Sequence, residues 1–182
     1  IKDCRVHLGC NNLERYMYNQ GLIEVDWLFE NLSNEYVKIV DASWHLPSIN
    51  RDARAEFENS HIPGSVFFDI DMIADKKSPF PHMLPPPEQF SSQVGELGLS
   101  NRDKIIIYDS NGGSSAAARV WWMFRSFGHQ DVFLLNGGVV AWRAKNYPFK
   151  QGSEMKHNCK FSTEHNNSLV RTLDEIYCNL ES

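Results

Sequence analysis

The sequence predicts an α/β domain: a mostly parallel sheet with helices on both faces. Three observations point there. Short apolar, β-branched runs recur at "VKIVDAS" (37–43), "VFFDI" (66–70), "KIIIYD" (104–109) and "VFLLNG" (132–137), the pattern of strands buried on both sides. Helical stretches separate them, and such alternation builds a sheet with crossover helices. The composition, 42% hydrophobic and 23% charged over 182 residues, is that of a globular chain able to bury one sizeable core.

The elements follow in order. Residues 1–21 read as an N-terminal extension of unassigned role, and 22–152 as the domain itself. Its helical stretches are "VDWLFENL" (25–32), "RAEFEN" (54–59), "PEQFSSQVGELG" (87–98), "SAAARVWWMFRSFG" (115–128) and "VVAWRAKN" (139–146). Gly128 fits a helix stop that wants positive φ. Gly137 and Gly138 open the helix around Trp142 and permit close packing. "RVWWMFR" (119–125) is apolar on most faces, so Trp121, Trp122 and Phe124 read as packing residues. The stretch "SPFPHMLPPP" (78–87) holds five of the eight prolines and must run as a stiff irregular loop carrying His82. After Gly152 the chain turns polar, and 153–168 reads as a linker. A helix then starts over 169–182, with Thr172 and Glu175 spaced as a capping box; it reads as the opening of a second domain.

Charge and cysteine usage narrow the function. A net charge of −5 and a pI near 5.8 argue against nucleic acid or an anionic membrane as main partner. No apolar run reaches the roughly 20 residues of a membrane span. Cys4, Cys10, Cys159 and Cys178 sit near the chain ends and read as reduced thiols. His157, Cys159 and His165 match no zinc spacing, so no metal is expected.

In open parallel sheets, ligands gather at the carboxyl ends of the strands, here the edge carrying Asp41, Asp69, Asp71 and Asp109. The loop after 104–109 leads into a helix N-terminus and forms a nest of N–H groups that would activate a cysteine thiolate. Asp109 heads that loop instead. A cysteine phosphatase would need cysteine at 109 and arginine at 115, where Asp109 and Ser115 stand. An aspartyl-phosphate enzyme would want a second aspartate at 111, where Asn111 stands. The preferred reading is that Asp109 caps the nest, accepting N–H bonds from 111–115. Asp41 reads as a loop cap.

Taken together, "VDASWHLP" (40–47), "RDARAEFENSHIPGSVFFDID" (51–71), "SPFPHMLP" (78–85), "ARVWWMFRSFGH" (118–129) and "LLNGGVVAWR" (134–143) resemble the first domain of the tandem rhodaneses, in the 3-mercaptopyruvate sulfurtransferase branch. The resemblance implies a rhodanese-like fold with a five-stranded parallel sheet, present twice in a full-length chain. It implies a catalytic cysteine in the second copy and an inactive nucleophile position at Asp109. Asp71 and His82 would be catalytic, as two members of a proton relay completed by a serine beside that cysteine. The implied partners are a small-molecule sulfur donor, a thiol or cyanide acceptor and a second rhodanese domain in cis, with no cofactor, in cytoplasm or mitochondrion. Trp44, Leu46, Pro47, Met83 and Leu84 are expected to form the surface on which that domain docks. The alternatives are a thiosulfate sulfurtransferase of the same family and a stand-alone inactive binding or regulatory module. By this reading the 182-residue chain alone is inactive.

Overall fold

The computed structural model describes residues 21–112, 115–153 and 157–180. Residues 1–20, with Cys4 and Cys10, lie outside the described residues. Five strands, β1 (Leu22–Ile23), β2 (Val37–Asp41), β3 (Ser65–Phe67), β4 (Lys104–Tyr108) and β5 (Val132–Leu135), form one sheet in the order β1-β5-β4-β2-β3. Every pairing is parallel. The four anticipated strands all form. Strand β1 was invisible to periodicity because two residues carry none; it is defined by its partner, with Leu22 opposite Leu134 and Ile23 opposite Leu135. Strand β3 stops earlier than its apolar run because Asp69 turns the chain: its side chain accepts from the Met72 amide at 3.1 Å and its carbonyl from the Ile73 amide at 2.8 Å.

Among the described residues there are six helices, the first five of them flanking the sheet: α1 (Val25–Glu30), α2 (Ala53–Asn59), α3 (Pro87–Glu96), α4 (Ala116–Ser126), α5 (Gly138–Ala144) and α6 (Leu173–Leu180). The strands alternate sides, so Ile105 and Ile107 pack with Phe90, Val120 and Phe124 of α3 and α4. Ile106 and Tyr108 pack with Leu28 of α1 and Val139 and Trp142 of α5. That period of two on a sheet buried on both faces explains the unbroken apolar runs. Gly128, at φ +89°, ends α4 as expected, and Gly137, at φ +74°, caps α5.

The polar stretch after Gly152 does more than its composition suggests. From His157 to Asn166 it is strapped to the domain. The Cys159 amide donates to the Gly95 carbonyl at 2.9 Å, the Glu164 amide to the Phe127 carbonyl at 2.9 Å and the Asn166 amide to the Ser126 carbonyl at 2.7 Å. Phe161 is buried in the main cluster against Phe90 and Phe124. Beyond the strap, α6 begins in the anticipated capping box, the Thr172 amide donating to Glu175 at 2.7 Å and the Glu175 amide to Thr172 at 3.3 Å. It buries none of its residues; Leu173, Ile176, Tyr177 and Leu180 face outward.

A Cβ at Gly95 would sit 2.4 Å from the Cys159 carbonyl oxygen. Alanine's helix propensity alone would favour Gly95→Ala by about 1 kcal/mol, so a net loss isolates the clash. Gly95→Ala is expected to destabilise by about 1–3 kcal/mol in urea titrations. His129 is buried against Phe124 and Phe161, and that burial lowers its pKa. The native state therefore holds it neutral, while the unfolded chain takes up a proton near the usual 6.5. Its contribution is full above that value and is lost as pH falls below it. The denaturation midpoint should fall between pH 7 and pH 5, and His129→Gln should flatten that slope.

Candidate functional site

The strand order reverses between β2 and β4, so the chain leaves these two neighbours in opposite directions and opens a crevice at their carboxyl ends. Asp41 and Asp109 stand there. Asp41 is buried and accepts from the Ser43 amide at 2.8 Å, the loop cap anticipated for it. Burial raises its pKa, with the neighbouring Asp109 adding to the effect. Tyr108 is buried too, and burial pushes its phenol well above the ordinary range; its hydroxyl accepts from the Ile62 amide and contacts the Ser65 hydroxyl at 3.2 Å.

Asp109 is fully buried. Its carboxylate accepts from the Asn111 amide at 2.9 Å and from the Ala117 amide at 3.1 Å. Asn111 lies inside the span expected to donate and Ala117 just beyond it, in the first turn of α4. Ser115, at the N-cap position of α4, makes no side-chain cap bond; Asp109 satisfies that turn from eight residues back. An aspartate in this place fills the nest that would otherwise draw an external anion.

Asp71 and His82 come together although 11 residues separate them. The buried Ile70 and Ile73 pin the turn after β3 and leave Asp71 outward. The proline-rich loop 78–86 is irregular, as anticipated, and is tied back where the Asp75 amide donates to the Met83 carbonyl at 2.9 Å. Within it His82 adopts φ +57°, a left-handed conformation uncommon for a side-chain-bearing residue. The imidazole Nε2 lies 2.6 Å from Asp71 Oδ1, while Trp44 Nε1 donates to Asp71 Oδ2 at 3.0 Å. The Trp44 and His82 rings meet edge to face with centroids 4.9 Å apart. A carboxylate only accepts, so the pair fixes the proton on Nε2 and leaves Nδ1 to exchange one.

Beside this pair opens a cavity of about 420 Å³ whose lining includes Trp44, Leu46, Ile49, His82, Ser115 and Arg119. Of the five residues expected on a docking surface, Leu46, Pro47 and Met83 are exposed. Trp44 and Leu84 are half-buried and pack against the main cluster. Ile49 and Arg119 were missed: Ile49 lies in a short turn without periodicity, and Arg119 reads in sequence as the polar edge of a packing helix. A second, more polar cavity of about 310 Å³ is lined by Asp41, Tyr108, Arg51, Glu56 and Arg143 among others. There Arg51 makes two 2.7 Å bonds to Glu56 and holds that carboxyl below its usual range. Among the described residues no cluster of His, Cys, Asp or Glu could hold a metal ion, and no helix is long and apolar enough to cross a membrane.

A family model described as "Rhodanese-like domain" matches residues 24–145. The chain is 43% identical over 168 residues to the 3-mercaptopyruvate sulfurtransferase of Mus musculus, covering 90% of this chain and 57% of that protein. It is 39% identical over 168 residues to the thiosulfate sulfurtransferase of Bos taurus, covering 90% and 56%. The crystal structure of the 3-mercaptopyruvate sulfotransferase SseA from Escherichia coli superposes with a TM-score of 0.84 at 34% identity, covering 89% of this chain and 62% of that one. The chain thus spans a little over half the length of the curated relatives it matches. The family match runs from just before the first helix to the end of α5, and so takes in the crevice between β2 and β4 and the Asp71–His82 pair: the chain belongs to the rhodanese-like domain family.

Proposed function

We propose that this chain is the N-terminal rhodanese-like domain of a sulfurtransferase that moves sulfur from 3-mercaptopyruvate to a thiol or cyanide. It would supply the Asp71–His82 relay to a cysteine carried by a C-terminal repeat. The observation that carries this reading is the 2.6 Å Asp71–His82 contact at the rim of a cavity whose neighbouring loop holds a capped aspartate instead of a thiolate. The two described cysteines, Cys159 and Cys178, are exposed, and neither lines that cavity.

The chemistry divides naturally. A cysteine thiolate attacks the donor sulfur, the S–S bond forms as the C–S bond breaks, and its electron pair stays on carbon as the enolate of pyruvate. The proton that leaves the donor thiol ends on that carbon. His82, with Nε2 held by Asp71, can take it at Nδ1 and return it, and Asp71 stabilises the imidazolium in between. Persulfide sulfur then passes to the acceptor. Similarity to thiosulfate sulfurtransferases, 39% for the bovine protein, supports thiosulfate as the competing donor, which needs no such proton transfer.

The 182-residue chain should consume no 3-mercaptopyruvate. In a longer protein carrying a cysteine-bearing repeat after Ser182, His82→Ala should lower kcat with 3-mercaptopyruvate by roughly 10²–10⁴-fold, the usual weight of a positioned acid–base group. Turnover with thiosulfate should change far less. Turnover by the chain alone, or an indifferent His82→Ala, would sink this division of labour. Asp109→Ala should cost about 1–3 kcal/mol in chemical denaturation by stranding the Asn111 and Ala117 amides. Asp109→Cys should not create robust thiosulfate turnover.

A further inference from the structure

Arg119 lies on the same face of α4 as Trp122, one turn on. Its guanidinium sits 4.3 Å from the centroid of the Trp122 ring, and its Nη2 donates to the His82 carbonyl at 2.7 Å. Its Nε is buried without a hydrogen-bond partner, and none of the described carboxylates forms an ion pair with it. Burial lowers its pKa, a cost that no described carboxylate offsets. A half-buried cation kept without a counter-charge, gripping the backbone of one left-handed residue, has a specific task.

We propose that Arg119 is the positioning residue of His82: it holds the His82 carbonyl so that the left-handed turn presents the imidazole to Asp71. The backbone at φ +57° is a conformation that persists only where its surroundings over-determine it. Two anchors do so. The ring is fixed by Asp71, in turn held by Trp44; the carbonyl is fixed by Arg119. The flat guanidinium suits this because it stacks on indole while donating in its own plane, which an ammonium cannot do. Trp122 is itself tied down, its Nε1 donating to the Leu169 carbonyl at 3.2 Å. The seat of the segment after the strap therefore reaches His82 through two side chains. The proposal rests on the relay reading only for its effect on turnover; the positioning is read directly on the ring.

The test is NMR of the His82 imidazole in the 182-residue chain, with His45, paired to Glu56 at 3.0 Å, as internal control. In Arg119→Met the His82 Nε2–H should exchange with water at least about tenfold faster, as expected when a charge-assisted bond is loosened. Its ring protons should also lose the shift imposed by Trp44, while His45 stays unchanged. Arg119→Lys, which keeps charge and one donor, should move the same signals less, and it carries the comparison if Arg119→Met fails to fold. A His82 ring that does not move in the folded variants, or one that moves together with His45, overturns the proposal. In the longer protein, Arg119→Met should lower kcat by about 10–100-fold with KM within about twofold, the scale of a misplaced catalytic group. A displaced ring with unchanged turnover would refute the relay and leave the positioning standing; an undisplaced ring refutes the positioning whatever the turnover.

Discussion

A carboxylate without access to solvent must find its donors inside the fold, and the surroundings of Asp109 are arranged around that demand. One oxygen takes the Asn111 amide and closes the loop; the other takes the Ala117 amide and fixes where α4 begins. The backbone of the same residue is enclosed as well. Its carbonyl accepts from the Val139 amide at 3.3 Å, and a Cβ on Gly138 would come within 2.8 Å of it, so α5 approaches this closely only because glycine stands there. Next door, the Ser110 amide donates to the Ser43 hydroxyl, which joins the loops after β2 and β4. With the start of α4 fixed, Ser115 and Arg119 face the cavity and His82 has its backbone anchor. The polar edge of this sheet is one connected assembly rather than a set of separate residues.

How much of this could be read from the chain depends on whether the signal is local. The long strands and α3 to α5 announce themselves, because burial on both faces and helical periodicity are written in consecutive residues. The Gly128 stop and the Thr172–Glu175 box are equally local. Strand β1 is not, since two residues in a sheet are defined only by pairing with β5. The strap was hidden for a related reason: its attachment runs through backbone groups, which carry no side-chain signature, and through the single ring of Phe161. At the site, residue pattern alone offered Asp109 as a cap. The pairing of Asp71 with His82 came from family resemblance, since no periodicity links two loop residues across a left-handed turn. Arg119 was silent because its partners, a carbonyl 37 residues away and a ring one turn on, meet only in the folded chain.

The cavities beside His82 and beside Arg51 differ in the way their charge is handled. On the Arg51 side, Glu56 is shared between Arg51 and His45, so that carboxylate is neutralised where it stands. On the His82 side, Asp71 pairs with His82 and also accepts from the Trp44 indole, while Arg119 has no described carboxylate as partner and engages a carbonyl and an indole face. A cation held like Arg119 can meet an anionic molecule or an ionised side chain without first breaking a salt bridge.

The strap also sets where this domain ends as a physical object. The family match stops at residue 145, and composition alone would put an expression boundary there or at Gly152. Yet Phe161 is among the rings that close the cluster around Phe90, Phe124 and Phe127, and its carbonyl takes the Ser91 hydroxyl at 2.5 Å. Cutting before it would uncover the outer face of that aromatic cluster and remove the amides that the strap gives to the Gly95, Ser126 and Phe127 carbonyls. The cooperative unit therefore reaches at least to Asn166, about twenty residues past the end of the family match. A shorter fragment would show a sticky aromatic face that the 182-residue chain keeps from water, and its aggregation would be a product of the cut rather than a property of the domain.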